Sequence, residues 1–302
     1  MRNDRSAMPV LLLSLLFVIS VLPLHGQGVK VFISADMEGV VGVATGEQLG
    51  PSGFEYSRFR EIMTNEVLAA IEGAREAGAT EFVVADSHGN MQNLLIEKLP
   101  ADVRLVRGSP RPFGMMEGID DSFDAAIFLG CHSSTTNPEG VRAHTLSSAR
   151  LADVRVNGRS MTEGGLNAAL AGHFGVPVVM ISGDDEVVEE VRAMVGEIEG
   201  AVVKRAIGFH ATETMMPEAA YELIRSRVEA GVERRDSIEP FVLDRPLTLE
   251  VRFKNYRPAE VMSWLPNVER ADAHSIRFVG KDMPEIARFL TFLTYYESGL
   301  EP

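Results

Sequence analysis

Apolar and polar positions follow two alternating patterns along most of the chain. Short apolar runs rich in β-branched residues are typical of buried strands, and longer stretches with an apolar residue every three or four positions are typical of helices. Strands are predicted over 29–35, 81–85, 103–106, 125–129 and 176–181, and helices over 55–76, 91–98, 162–174 and 185–195. This alternation predicts an α/β fold: a three-layer α/β/α arrangement with a mostly parallel, mixed central sheet.

The last third of the chain is less regular. Before it, residues 153–160 alternate in polarity and contain Asn157-Gly158, a pair that predicts a hairpin turn. Beyond residue 200 the pattern predicts a helix over 217–232, strands over 247–253 and 275–279, and a closing helix over 284–296. Since no repeat or low-complexity linker interrupts the sequence, we interpret residues 28–302 as one domain, with 240–302 as a candidate C-terminal subdomain.

The first 26 residues have a different character. Arg2 and Arg5 precede an apolar run over residues 9–22, the layout of a secretory signal peptide. The run of about 14 residues is shorter than the roughly 20 that span a bilayer. We therefore predict that residues 1–26 are a cleaved export signal and that the mature protein is secreted or periplasmic, with no stable membrane insertion. An uncleaved anchor is the alternative.

Composition narrows the classes of partner. The chain has 302 residues, 45% of them hydrophobic and 24% charged, which is ordinary for a globular protein. Its net charge of −14 argues against binding nucleic acid or anionic lipid through bulk electrostatics. Cys131 is the single cysteine, so an intrachain disulfide is excluded.

Side chains that can bind metal follow several of the early predicted strands. Asp36 and Glu38 follow the first strand, Asp86 and His88 follow the second, and His132 follows the fourth. In open α/β sheets, ligand sites lie outside the carboxyl ends of the strands, so these side chains are expected to meet at one edge. Carboxylate and imidazole ligands together suit zinc, and less specifically manganese, cobalt or iron.

Each candidate also has an ordinary structural explanation. Asp86 suits a turn or a helix N-cap, and Cys131 is expected to point away from the site if His132 faces it. His144 lies in a polar loop, where it is either exposed or able to reach the site. Glu163 lies in the first turn of a predicted helix, where a carboxylate favours the helix dipole.

Several ordered blocks of sequence resemble the DppA-type D-aminopeptidases, a family of binuclear zinc peptidases. The resemblance extends from about Lys30 to the C-terminal helix. It rests on DMEGVVG, VVADSHGNMQNLLIEKL, GSPRPFGMMEGID, AIFLGCHSS, NGRSMTEGGLNAALAGHFGVPVVMISGDD and FKNYRPAEV. The chain departs from the family in having Cys131 where an aromatic residue is usual, a longer loop between His132 and His144, and an export signal.

The resemblance implies two zinc ions per subunit, which manganese or cobalt could replace. The family's metal ligands fall on Asp36, Glu38, His88, His132 and Glu163. Its catalytic histidine falls on His144. The implied partition has Asp36 bridging the two ions, Glu38 and Glu163 on one of them, and His88 and His132 on the other.

The activity that the resemblance implies is that of an exported zinc-dependent aminopeptidase. It would remove the N-terminal residue from short peptides, D-alanyl peptides in particular, by means of a metal-activated water. Family members also form ring-like homo-oligomers, which implies a decamer here. Two alternatives stay open: a metal-dependent phosphoester hydrolase that uses Arg107, Arg111 and Arg142 as phosphate contacts, and a non-catalytic exported protein that binds a solute or zinc.

Overall fold

The computed structural model describes residues 28–295. The strands are β1 Val29–Ala35, β2 Ala79–Asp86, β3 Val103–Val106, β4 Ala125–Cys131, β5 Leu151–Val156, β6 Arg159–Ser160, β7 Val178–Asp184, β8 Glu199–Gly208, β9 Ala211–Thr214, β10 Leu247–Phe253, β11 Val268–Arg270 and β12 Ser275–Gly280. The helices are α1 Tyr56–Glu76, α2 Glu163–His173, α3 Asp185–Val195, α4 Pro217–Glu233, α5 Tyr256–Met262 and α6 Met283–Tyr295.

A central sheet organises the fold, with strand order β3-β2-β1-β4-β7-β8-β9. Every neighbouring pair is parallel except β8 and β9, which are antiparallel. Because β4 and β7 lie between other strands and are covered on both faces, all of their residues are buried. Helices α1 and α4 pack on one face, and α2 and α3 pack on the other. The predicted three-layer α/β/α class, with a mostly parallel mixed sheet, is confirmed.

A second, antiparallel sheet has strand order β11-β12-β10-β5-β6. Its inward-facing residues belong to the same hydrophobic cluster as α2 and α6. Asn157 and Gly158 connect β5 to β6 as predicted, and both have positive φ (52° and 80°), as the favoured two-residue hairpin turns require. This sheet combines strands from both sides of residue 240, and the subdomain boundary placed there stays a prediction.

The structure differs from the predicted elements at several points. The predicted helix over 91–98 is a loop that ends in a single 3-10 turn, Ile96–Lys98. Met91 has a φ of 58°, which no helix accommodates, and the Asp86 carboxylate accepts the backbone N–H groups of Asn93 and Leu94. The elements β8, β9, α5 and β11 were not predicted.

The predicted export signal, residues 1–26, lies outside the described residues. Within residues 28–295, no helix combines the length and the apolar character that crossing a membrane requires. The candidate metal ligands and His144 all lie in the described part of the chain.

One carboxylate lies on the mostly apolar buried face of α1. Glu66 is 1% exposed; its Oε1 accepts the backbone N–H of Val41 at 2.9 Å, and its Oε2 has no hydrogen-bond partner among residues 28–295. Burial raises the pKa of Glu66 to about 7, against the opposing effects of the Val41 N–H and Lys204. Between its ordinary value of 4.5 and about 7, the folded state holds a proton that the unfolded state has released.

Stability is therefore expected to fall as pH rises through this window, because the folded state binds more protons. Glu66→Gln imitates the protonated carboxyl, so it should remove this pH dependence. As the pH rises from about 5 to about 8, we expect the free energy of unfolding of the variant to increase by about 1–3 kcal/mol relative to that of wild type. Urea unfolding of both metal-free proteins measures it. If the free energies of unfolding of the variant and the wild type differ by the same amount at both pH values, the raised pKa of Glu66 is contradicted.

Candidate metal centre

The carboxyl ends of three adjacent strands bring the predicted ligands together. Asp36 directly follows β1, His88 follows β2 by two residues, and His132 directly follows β4. The sheet order places β1 between β2 and β4, so Asp36 lies between the two histidines. All three side chains are buried, with exposures of 3%, 7% and 2% respectively.

A tight approach of two loops fixes the segment after β1. The Gly39 N–H donates to the carbonyl of Gly130 at 2.7 Å, and a Cβ at Gly39 would lie 1.9 Å from the Cys131 carbonyl oxygen. Gly130 itself has a φ of 65°, which few other residues adopt. Glycine at both positions allows the segment that carries Glu38 to lie against the end of β4.

Lys204 of β8 holds the same segment in place by hydrogen bonds to its backbone. This lysine is 2% exposed, and its Nζ donates to the carbonyls of Glu38, Val40 and Val43 at 2.5, 3.1 and 2.7 Å. Burial lowers the pKa of Lys204 to about 8, although Asp184 and other nearby carboxylates oppose the shift. The ammonium group thus occupies all three of its N–H donors in holding the loop that carries Glu38.

Lys204→Met is expected to lower the free energy of unfolding by about 3 kcal/mol or more, since three buried carbonyls lose their donor. It should also weaken zinc binding, because the backbone of Glu38 loses an anchor. The control is Lys254→Met, which removes one exposed lysine that donates to Ser148 and should cost less than about 1 kcal/mol. Urea unfolding and zinc titration measure both effects. Equal stability losses in the two variants would contradict this role for Lys204.

The ligating atoms form two adjoining groups. One group contains Asp36, Glu38 and His88 and the other contains His132, His144 and Glu163, with the candidate ligand atoms of each group within 4.8 Å of one another. Asp36 touches both groups: Oδ1 lies 3.3 Å from His88 Nδ1, and Oδ2 lies 3.3 Å from His132 Nε2. This position suits a bridging carboxylate.

The grouping corrects the partition of ligands that the resemblance implied. Glu38 lies with His88, at 2.8 Å from its Nδ1, and Glu163 lies with His132, at 3.5 Å from its Nε2. The implied partition put the two histidines together. It fails because β2 and β4 lie on opposite sides of β1, which places His88 and His132 on opposite sides of Asp36.

Each histidine of the site uses one ring nitrogen on a backbone carbonyl and turns the other toward the carboxylates. His88 Nε2 donates to the Leu49 carbonyl at 2.7 Å, and His132 Nδ1 donates to the Ser133 carbonyl at 3.1 Å. His144 Nδ1 donates to the Arg142 carbonyl at 2.7 Å. This arrangement orients each ring and leaves its other nitrogen to face a metal or a substrate, as in metal-binding histidines generally.

Electrostatics favour a cation among these groups. Burial, and Glu38 beside it, raise the pKa of Asp36 above its ordinary value. Burial alone would lower the pKa of His88 and of His132, but Glu38 and Glu163 outweigh it, so both histidine pKa values lie well above the ordinary one. The three carboxylates thus create a strongly negative potential at the two rings, which a divalent cation would neutralise.

Glu163 and His144 reach the site from outside the sheet. Thr162 caps α2 by accepting the Gly165 N–H at 2.7 Å, and the first turn of α2 directs Glu163 to the strand ends. Burial alone would raise the pKa of Glu163, but His132 outweighs it and lowers the pKa. His144 stacks on His132 at 4.0 Å between ring centroids, with Nε2 at 4.0 Å from Glu163 Oε1.

Other candidates have structural positions instead. Asp86 is fully buried and accepts three hydrogen bonds from the loop at Asn93 and Leu94. Cys131 points into the hydrophobic core, as expected for the residue preceding an inward-facing His132, and burial raises its pKa. Arg111 is buried and donates to the carbonyls of Asp86, Val106 and Gly114.

A cavity of about 190 Å³ opens at the ligand groups. Residues of α2 and α6 and of the loops at Met91 and Phe113 form the rest of its lining. Among the described residues, neither a lysine nor an arginine lines the cavity. The phosphate contacts proposed for a phosphoester hydrolase at Arg107, Arg111 and Arg142 are therefore not found there.

The donor set fits zinc. Each imidazole turns one nitrogen toward the carboxylates, Glu38 repels the ionised form of Asp36, and Asp36 lies between the two groups. Fold and site together define the class: an α/β protein with a two-group carboxylate and histidine centre at the carboxyl edge of a parallel sheet, the arrangement of a metal-dependent hydrolase.

Comparison with known proteins gives the family. The D-aminopeptidase family model matches residues 29–292. A D-aminopeptidase of Bacillus subtilis (strain 168) is 34% identical over 267 residues, which cover 88% of this chain and 96% of that protein. The chain belongs to the D-aminopeptidase family and is thus a peptide hydrolase by family.

A solved structure agrees with this assignment. The zinc-dependent D-aminopeptidase DppA from Bacillus subtilis, described as a self-compartmentalizing protease, superposes with a TM-score of 0.84 at 33% identity. The match covers 89% of this chain and 99% of that one. The non-catalytic binding protein considered from the sequence is therefore not the interpretation that the relatives favour.

Proposed function

We propose that this protein is an exported, zinc-dependent aminopeptidase that removes the N-terminal residue from short peptides of D-amino acids, D-alanyl peptides among them. The observation that carries the proposal is the convergence of five buried ligand side chains from four elements with His144 on one cavity. The zinc-dependent D-aminopeptidase from Bacillus subtilis supports the metal and the substrate class.

Asp36, Glu38 and His88 would hold one zinc ion, and Asp36, His132 and Glu163 the other. When bound, zinc supplies Lewis acidity and an activated water as nucleophile. The cavity beside the ligand groups is where the peptide bond would lie, and the negative side chains at its inner end would attract the cationic α-amine of the substrate.

His144 is placed to move the proton that peptide hydrolysis requires. Its Nδ1–H is committed to the Arg142 carbonyl, so Nε2 is the atom that faces the cavity and can accept a proton from the attacking water. The same nitrogen would then donate that proton to the leaving amine. We favour this acid and base role over covalent attack.

The proposal is tested by assaying zinc-loaded protein on D-Ala-D-Ala, L-Ala-L-Ala and p-nitrophenyl phosphate. We expect D-Ala-D-Ala to be hydrolysed with a kcat/KM at least about tenfold above that of the L-peptide, and the phosphate ester not to be hydrolysed. Treatment with a chelator should abolish the activity, and added zinc should restore it. Faster hydrolysis of the L-peptide would overturn the D-preference.

Export and assembly complete the proposal. The signal-like residues 1–26 support secretion to the periplasm or the medium, where peptides of D-amino acids come from cell walls. We also propose a ring-like homo-oligomer, a decamer as in the family. The description of the relative as self-compartmentalizing supports it, as do large apolar side chains on the surface of the isolated chain, such as Phe54 and Trp264, 81% and 73% exposed.

A further inference from the structure

The cavity continues beyond the ligand groups into an apolar region. Its walls there come from α2, α6 and the connection between β3 and β4, and they include Met115, Leu166, Leu170, Met283, Ala287 and Leu290. Among the described lining residues, the ionisable carboxylate and imidazole side chains are confined to the two ligand groups, one of which includes His144. An occupant of this region gains from apolar contact and finds no partner for a charge of its own.

One face of α2 leads from the ligand groups to this apolar region. Glu163, Asn167 and Leu170 are spaced four and three residues apart, so they lie in a row along one side of the helix. The opposite wall is a similar row on α6, where Met283, Ala287 and Leu290 have the spacing of successive turns. A peptide that reaches the ligand groups would therefore extend between α2 and α6.

Asn167 is the polar side chain midway along this row. It is 8% exposed, and its one side-chain hydrogen bond within the described structure runs from Nδ2 to the Met115 sulfur at 3.5 Å. A thioether is a weak acceptor, so the buried amide is left with hydrogen-bonding capacity directed at the cavity. A peptide backbone offers both the N–H and the C=O that this amide lacks.

We propose that the cavity selects peptides with a large apolar side chain next to the scissile bond, and that Asn167 positions them by hydrogen bonding to the peptide backbone. The proposal rests on the proposed peptidase function and names the substrate class within it. A leucine-sized side chain would fill the region between Leu170 and Leu290, which an alanine methyl group leaves largely empty.

The first test measures kcat/KM of zinc-loaded protein on D-Ala-D-Ala, D-Leu-D-Ala, D-Ala-D-Leu and D-Lys-D-Ala. We expect one of the two leucine peptides to exceed D-Ala-D-Ala by about 10- to 100-fold, and the identity of that peptide shows which side of the scissile bond faces the pocket. The lysine peptide should be no better than D-Ala-D-Ala. Hydrolysis without a leucine preference overturns this inference alone, whereas absence of hydrolysis across the panel contradicts the proposed function as well.

The second test changes the size of the pocket. Ala287→Leu adds bulk to the α6 wall, and it should bring the ratio of leucyl to alanyl kcat/KM close to one. Ala287→Ser, which keeps the residue small, should retain the wild-type ratio. A wild-type ratio in Ala287→Leu would contradict the placement of the apolar side chain.

The third test concerns Asn167 itself. Asn167→Ala should lower kcat/KM about tenfold on leucyl and alanyl peptides alike, with the ratio between them, the zinc content and the urea midpoint unchanged. A purely structural role would instead lower the midpoint. Wild-type kcat/KM on every peptide would show that Asn167 does not contact the substrate.

Discussion

Asp36→Ala is expected to lower peptidase activity by at least about 10³-fold and to reduce bound zinc. Asp36 is the carboxylate that contacts both groups of ligands, with one oxygen toward His88 and the other toward His132. Its loss should therefore affect both ions, whereas loss of Glu38 or Glu163 should affect one more than the other. Peptide hydrolysis and metal analysis of the purified variant measure the two effects.

Stability measurements separate this result from misfolding. Burial and Glu38 already raise the pKa of Asp36, so the metal-free fold gains little from an ionised carboxylate at this position. We expect the metal-free variant to unfold at a urea concentration no lower than that of metal-free wild type, and zinc to stabilise it less. Asp153→Ala, at another buried aspartate that is not among the residues lining the cavity, is the control and should keep full zinc content. Full zinc content in Asp36→Ala would contradict the bridging role.

His144→Ala is expected to lower kcat by about 10² to 10⁴ while leaving zinc content unchanged. The residue lies within reach of the His132 and Glu163 ligand atoms, so geometry alone also permits a ligand role. Its position at the cavity and its Nδ1 bond to the Arg142 carbonyl favour proton transfer through Nε2. Activity assays and zinc analysis of the same preparation distinguish the two roles.

A matched control for His144 is His210→Ala. His210 is an exposed histidine near Arg142 that does not line the cavity, and its replacement should leave kcat within about twofold of wild type. Reduced zinc in His144→Ala would assign the residue to the metal instead. Wild-type activity with full zinc would remove it from the mechanism.

Most of the ligand residues could be predicted from the sequence because they follow predicted strands. Asp36, Glu38, His88 and His132 follow apolar strands, and parallel strands that share a sheet bring such residues to one edge. Glu163 gave no comparable signal, since a carboxylate in the first turn of a helix has an ordinary explanation. Only the family resemblance singled it out.

The supporting residues could not be predicted, for physical reasons. Lys204 lies in β8, a strand whose polar residues hide its periodicity, and nothing in the sequence shows that its ammonium group is buried against three carbonyls. Asn167 is one polar residue within a helix of small and apolar residues. Asn167 lines a cavity only because α6, more than 100 residues away in the sequence, forms the opposite wall.

The fold was anticipated best where strands are fully buried. β4 and β7 begin with apolar runs and were predicted, whereas the edge strands β9 and β11 are short and mostly exposed, so they lack a clear pattern. Residues 91–98 were predicted to be a helix, but the Asp86 carboxylate accepts the backbone N–H groups of Asn93 and Leu94 and holds this segment in a loop. A tertiary contact of that kind overrides local propensity.

The most direct test of the account is a crystal structure of the zinc-loaded protein with anomalous diffraction recorded at the zinc absorption edge. We expect two anomalous peaks per subunit, one between Glu38 and His88 and one between His132 and Glu163, with Asp36 contacting both. Crystals of protein that hydrolyses peptides but shows no zinc at these side chains would contradict it.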